Sequence, residues 1–79
     1  MAIRSKKELG AAIERARKAL AISQADLARK ASVRQPQISE LENGTTNATV
    51  DTVLKVLAAL ELDWEVVPRR KGRFDPAEY

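Results

Sequence analysis

The chain contains neither cysteine nor histidine. Without thiols there is no disulfide to staple a small domain and no thiolate for metal or redox chemistry. Without imidazole, the usual general base and the commonest zinc ligand are both missing. Aromatic residues are scarce too: one Trp, one Tyr and one Phe. No apolar run approaches the ~18 residues of a membrane span and nothing resembles a secretory leader, so a cytoplasmic protein is expected. No pair of carboxylates sits in an apolar setting that would raise a pKa. Catalytic groups, cofactors, metals and small-molecule substrates are therefore not expected. At 79 residues the chain forms one domain, burying only about 60% of the surface its unfolded form exposes. Oligomerisation is the remaining route to stability, so a homodimer is expected before any motif is read.

The charge that is present is unevenly distributed. Residues 1–34 hold nine Lys/Arg against three Asp/Glu, residues 35–65 one against six, and residues 66–79 four against two. A basic first half suits a polyanionic partner, because neutralising phosphates releases counterions. A solvated helix face would carry the same charges, and composition does not separate the two readings.

Helical signals fill most of the chain. Ser5-Lys6-Lys7-Glu8 reads as a capping box, followed by Leu9, Ile13, Ala16 and Leu20 on one apolar face. Ser23 caps a short second helix, Gln24 to about Ala31, in which Asp26 favours the positive end and Leu27, Ala28 and Ala31 face inward. Ser32 and Val33 form a tight turn. A third helix runs from Gln35 to about Asn43, with Pro36 in its first turn, Ile38 and Leu41 inward, and Gly44 as its left-handed end. Thr49 caps a fourth helix with the apolar stripe Val50, Val53, Leu54, Leu57 and Leu60.

Two short helices joined by a tight turn in a basic domain suggest a helix-turn-helix, whose second helix lies in the DNA major groove. Gln35 and Gln37 are suited to bridge adenine N6 and N7, Arg34 to fork onto guanine, and Ser39 to bond a base or a phosphate. An exposed helix whose polar face merely solvates would show the same residues.

The stretch Ser23-Gln24-Ala25-Asp26-Leu27-Ala28, then Val33, Gln35-Pro36-Gln37-Ile38-Ser39 and Leu41-Glu42-Asn43-Gly44 resembles the Xre/Cro helix-turn-helix family of lambdoid repressors. The likeness runs roughly from Leu9 to Leu60. It implies an all-α, lambda-repressor-like bundle of four to five helices. By position, it implies base contacts from Arg34, Gln35, Gln37 and Ser39. Phosphate contacts would come from Gln24 and Ser23 at the start of the second helix, and from Asn43 and Thr45 in the loop clamping the far side. Arg17 and Glu42 match a structural pair tying the first helix to the end of the recognition helix. Where the family has glycine, this chain has Ala21 and Ser32; a left-handed backbone there costs roughly 1 kcal/mol. Arg34 replaces a common serine, so a helix cap is lost and a cation gained.

Beyond Leu60 the pattern changes. Leu62-Asp63-Trp64-Glu65-Val66-Val67 alternates with period two until Pro68, a strand signal. A lone strand leaves its edges unpaired, so pairing with the same strand of a second copy is expected, with Leu62, Trp64 and Val66 at the dimer interface. Trp64 reads better as a plug between strands and helices than as an exposed stacking platform. The organisation expected is a DNA-binding domain over 1–61, a dimerisation strand over 62–68 and a flexible tail over 69–79.

This ending resembles the HipB-type antitoxins of bacterial toxin–antitoxin pairs. The resemblance implies a nucleoid-associated homodimer that represses its own operon at a pseudo-palindromic double-stranded operator and neutralises a HipA-like kinase toxin. Phe74 and Tyr79 are the tail's candidate toxin anchors; its basic half could equally touch DNA, or the tail could stay unstructured. A plain phage- or restriction-modification-type regulator, without a toxin partner, is the alternative.

Overall fold

The computed structural model describes residues 3–65 and Pro68. Four helices follow one another: α1 (Lys6–Ala19), α2 (Gln24–Ala31), α3 (Gln35–Asn43) and α4 (Val50–Ala59). This is the all-α helix-turn-helix bundle the sequence leads one to expect.

Each helix begins and ends for a local reason. Ser5, Ser23 and Thr49 accept the backbone N–H three residues ahead, from Glu8, Asp26 and Thr52. At Ser23 the box is complete, because Asp26 accepts the Ser23 N–H in return at 3.1 Å. At Ser5 only the serine half forms: the Glu8 carboxylate takes the Arg4 N–H at 2.5 Å instead of that of Ser5. Arg34 starts α3 with no acceptor of its own, and Gln37 Oε1 accepts its N–H at 3.0 Å.

All four helix ends share one geometry. A left-handed residue follows the last turn: Ala21 (φ 57°), Ser32 (φ 59°), Gly44 (φ 76°) and Glu61 (φ 62°). The next N–H then reaches back five residues, from Ile22 to Arg17, Val33 to Ala28, Thr45 to Glu40 and Leu62 to Leu57, at 2.8–3.3 Å. These bonds satisfy carbonyls the helices leave orphaned. Only one of the four left-handed positions is glycine. The other three hold a conformation that costs a side chain roughly 1–2 kcal/mol.

The core is formed by Ile13, Leu27, Ala28, Ala31, Ile38, Leu41, Val53, Val56, Leu57 and Leu60. Ile13, Leu27, Ile38, Leu41 and Val56 are fully enclosed, each contributing roughly 1.5–3 kcal/mol by leaving water. Two apolar stripes are corrected. Leu20 is 41% exposed, because α1 crosses α3 between Gly10 and Arg17 and Leu20 lies past that crossing. On α4 the buried stripe is Val53, Val56, Leu57 and Leu60, at i, i+3, i+4 and i+7. Val50 and Leu54 are rotated off it, to 64% and 46% exposure.

Gly10 is what allows α1 to approach α3 so closely. A Cβ there would stand 2.6 Å from the Glu42 carbonyl oxygen and closer still to that of Leu41. A glycine inside a helix costs about 1 kcal/mol against alanine, and that penalty was the available sequence signal for the crossing.

Residues 62–65 form neither helix nor strand in the single chain. A two-stranded pairing needs a second copy, and within one chain Trp64 is left 51% exposed. Val66, Phe74 and Tyr79 lie outside the described residues, as does the rest of the tail from Arg69 onward.

Candidate nucleic-acid interface

The α2–α3 unit rests on a part-buried polar network. Glu42, on the last turn of α3, accepts from Arg17 Nε at 2.7 Å and Arg17 Nη2 at 3.1 Å. The two side chains are 12% and 4% exposed. Arg17 Nη1 also donates to the Ile22 carbonyl at 2.9 Å, and Gln24 Nε2 donates to Glu42 Oε1 at 3.0 Å. One carboxylate therefore ties α1, the α1–α2 connection and the first residue of α2 to the end of α3. Its hydrogen bond raises the Arg17 guanidinium above an already high pKa, so the cation persists at any pH at which the domain folds. Two-point pairing fixes angle as well as distance, and the recognition helix is thereby held as a rigid element.

On that frame the candidate base readers fall into two pairs. Arg34 and Gln35 are exposed at the start of α3. Arg34 makes no ion pair among the described residues, so its guanidinium is available to a ligand. Gln37 and Ser39 are half-buried on the flanks of the helix. The Gln37 carbonyl oxygen is committed to the Arg34 N–H, leaving its amino group as the donor. The outward face of α3 also carries Pro36 and Glu40, both exposed, which the sequence reading did not single out. The signal was present: positions 36, 39, 40 and 43 repeat at three- and four-residue spacing opposite Ile38 and Leu41.

The candidate phosphate contacts gather at the other end of α3. Gln24 reaches Glu42, and Asn43 and Thr45 follow directly in sequence, both exposed. Thr45 Oγ1 lies 3.5 Å from the Glu40 carbonyl, a long contact that leaves the hydroxyl nearly free. The Ser23 hydroxyl oxygen accepts the Asp26 N–H at 3.0 Å, and the hydroxyl bonds the Asp26 carboxyl in return, so the group is engaged within the helix cap. The hydrogen bonds from Ser23, backbone first and hydroxyl second, hold the Asp26 carboxyl below its ordinary pKa, helped by Arg29. Gln37, Glu40, Thr45, Thr46, Asn47 and Ala48 line a shallow polar depression beside this edge. Among the described residues no group of three or more carboxylates is placed to hold a metal ion. No helix described is long and apolar enough to cross a membrane.

Comparison with known proteins places this geometry among relatives. The helix-turn-helix family model matches residues 13–67, more than half of the chain. An HTH-type transcriptional regulator of Haemophilus influenzae is 43% identical over 54 residues, 68% of this chain and 55% of that protein. The match thus spans only about half the length of that curated relative. Among solved structures, a HipB variant in an O2 20mer complex superposes with a TM-score of 0.80 at 33% identity, covering 89% of this chain and 97% of the other. A HipA–HipB–O2–O3 complex gives the same score at 31% identity, with 89% and 99% coverage.

Proposed function

The chain belongs to the helix-turn-helix family, and from that premise we propose that it is a sequence-specific DNA-binding transcriptional repressor acting as a homodimer. Within that reading it is the autorepressing antitoxin of a type II pair, binding a pseudo-palindromic operator and neutralising a HipA-like kinase toxin. The observation that carries the DNA-binding part is the rigid presentation of Arg34 and Gln35. Both side chains are exposed on a helix locked at its far end by the Arg17–Glu42–Gln24 network. Arg34 suits guanine, and Gln35 suits adenine. Glu40 adds an acceptor suited to a cytosine amino group. Gln24, with one amide proton on Glu42, keeps a second for a phosphate.

The antitoxin part is supported by likeness over nearly the full length of HipB, including a structure in which HipB is assembled with HipA. Dimerisation is supported by Val50, Leu54, Leu62 and Trp64, which lie 38–64% exposed along and beyond α4. In the dimer, the expected strands over residues 62–68 pair across the two-fold axis. The recognition helices then stand about 34 Å apart, one turn of DNA. A plain regulator without a toxin is the second reading, favoured by the curated relative, whose name mentions only transcription.

The test is an operator selected from a random duplex library. On it, Gln35→Ala weakens binding by roughly 1–3 kcal/mol while leaving affinity for mixed-sequence DNA unchanged. Equal loss on both DNAs removes the assignment of α3 as the reader. Co-expression with the product of an adjacent kinase-like gene separates the two regulatory readings. A stoichiometric complex that a chain ending at Pro68 no longer forms places the toxin contact in residues 69–79.

A further inference from the structure

We propose that the first turn of α1 is a second phosphate-binding edge, in which Lys6 and Lys7, with Arg4 before them, hold the duplex backbone where it passes the loop after α3. This rests on the DNA-binding reading above and extends its footprint to residues that nothing so far assigns.

The argument starts from charges that are badly placed for the fold alone. A helix N-terminus carries a partial positive charge, and cations in its first turn are disfavoured there. Most other cations of the domain have a carboxylate: Lys18 pairs with Glu14 at 3.2 Å, Arg29 with Asp26, Lys55 with Asp51 at 3.9 Å, and Arg17 with Glu42. Arg4, Lys6 and Lys7 form no ion pair among the described residues. Glu8, the acid beside them, is turned back onto the Arg4 N–H. Three exposed cations at the wrong end of a helix are stabilised when an anion arrives.

Their position says which anion. A Cβ on Gly44 would stand 3.0 Å from the Lys7 Cα, so the first turn of α1 lies directly against the end of the recognition helix. The Lys6 ammonium donates to Asn47 Oδ1 at 3.1 Å, which lays it over the loop containing Thr45. The edge formed by Asn43, Thr45 and Asn47 is thus continuous with Lys6 and Lys7. A backbone that meets Asn43 and Thr45 passes these ammonium groups next. Glu40, the one carboxylate lining the adjoining depression, would repel phosphates, and the two lysines offset it. The contact is to phosphate alone, so it adds affinity without reading sequence.

The test is the salt dependence of binding by the full chain to a mixed-sequence duplex three helical turns long, followed by fluorescence anisotropy. Each phosphate contact contributes about 0.9 to the slope of log K against log salt. Lys6→Gln with Lys7→Gln should lower the slope by about 1.8 for each subunit on the DNA. Lys6→Arg with Lys7→Arg should restore it, and Lys55→Gln should leave it unchanged. The ratio of selected-operator to mixed-duplex affinity should be the same in every lysine variant. A slope equal to that of the unaltered chain, or a changed ratio, overturns the proposal while DNA binding stands. Binding by the unaltered chain that is insensitive to salt overturns the DNA-binding reading itself. Melting followed by circular dichroism verifies that the variants remain folded.

Discussion

The outward faces of α3 and α4 make opposite demands on water. On α3 the exposed positions are Arg34 just before it, then Gln35, Pro36, Glu40 and Asn43, groups that exchange hydrogen bonds with solvent for hydrogen bonds with a ligand at little net expense. On α4, Val50, Leu54 and Ala58 repeat at four-residue spacing and continue toward Leu62 and Trp64, apolar surface that is stabilised only when covered. Support differs as well. The α3 side is braced by a two-point ion pair and an amide, whereas on α4 Val50 and Leu54 remain 64% and 46% exposed. The difference teaches that one small domain can keep its polar face rigid and complete while its apolar face remains unfinished until another surface meets it.

The comparison breaks most visibly if the brace is removed. Glu42→Ala leaves the Arg17 guanidinium, whose side chain is 12% exposed, without its carboxylate, and should cost about 3–5 kcal/mol of stability in chemical denaturation. A loss under about 1 kcal/mol would show that the α3 side does not depend on the pair.

On the other face, Leu54→Asp should leave the stability of the single domain within about 0.5 kcal/mol. It should weaken self-association by about 1.5–3 kcal/mol, roughly ten- to a hundredfold. Sedimentation velocity beside a melting curve separates the two effects. A dimer that survives the substitution would mean that the strip is covered by something other than a second copy.

The helix ends sharpen the contrast at smaller scale. Gly44→Ala on the α3 side should cost about 1–2 kcal/mol for its left-handed backbone alone, with crowding against Lys7 added. Ser32→Gly, one turn earlier in the chain, should instead raise the thermal midpoint by the equivalent of up to about 1 kcal/mol. If both substitutions destabilise, the left-handed ends are held by more than backbone conformation.

The smallest effect is a pH dependence. Asp26 has a folded-state pKa below its unfolded value. Its contribution is therefore complete above the ordinary carboxylate range and is lost as pH falls through the lowered folded value. Asp26→Asn should flatten the acid side of a series of unfolding midpoints. An unchanged acid limb in the Asn variant would assign that slope to other carboxylates.

Helix limits were legible because they depend on near neighbours in the chain. Ser23 and Asp26 bond each other across three residues, and Gly44, Ser32 and Ala21 end their helices through bonds spanning five. Burial was legible on α2 and α3, where few apolar positions leave one choice of face. It was misread on α4 because Val50 and Leu54 fit a helical period as well as Val56 does, and only the neighbour that packs against α4 chooses between them. The candidate site was half legible. Arg34 and Gln35 stand exposed at the head of α3. The commitments of the Gln37 and Gln24 amides to the Arg34 N–H and to Glu42 were beyond reach, since polar side chains do not announce their partners.

By itself, then, the sequence determined the four helices, the residues that cap their starts, the left-handed exit at Gly44, and a short turn between two of them. All of these are interactions between residues close along the chain, which backbone sterics and hydrogen-bond reach decide locally. Only the tertiary structure decided that Gly10 brings α1 onto the carbonyls of α3, that Glu42 gathers Arg17 and Gln24, and that Val50 and Leu54 face outward. Those depend on where one helix crosses another, and a crossing is a property of packed surfaces, which no stretch of sequence contains alone.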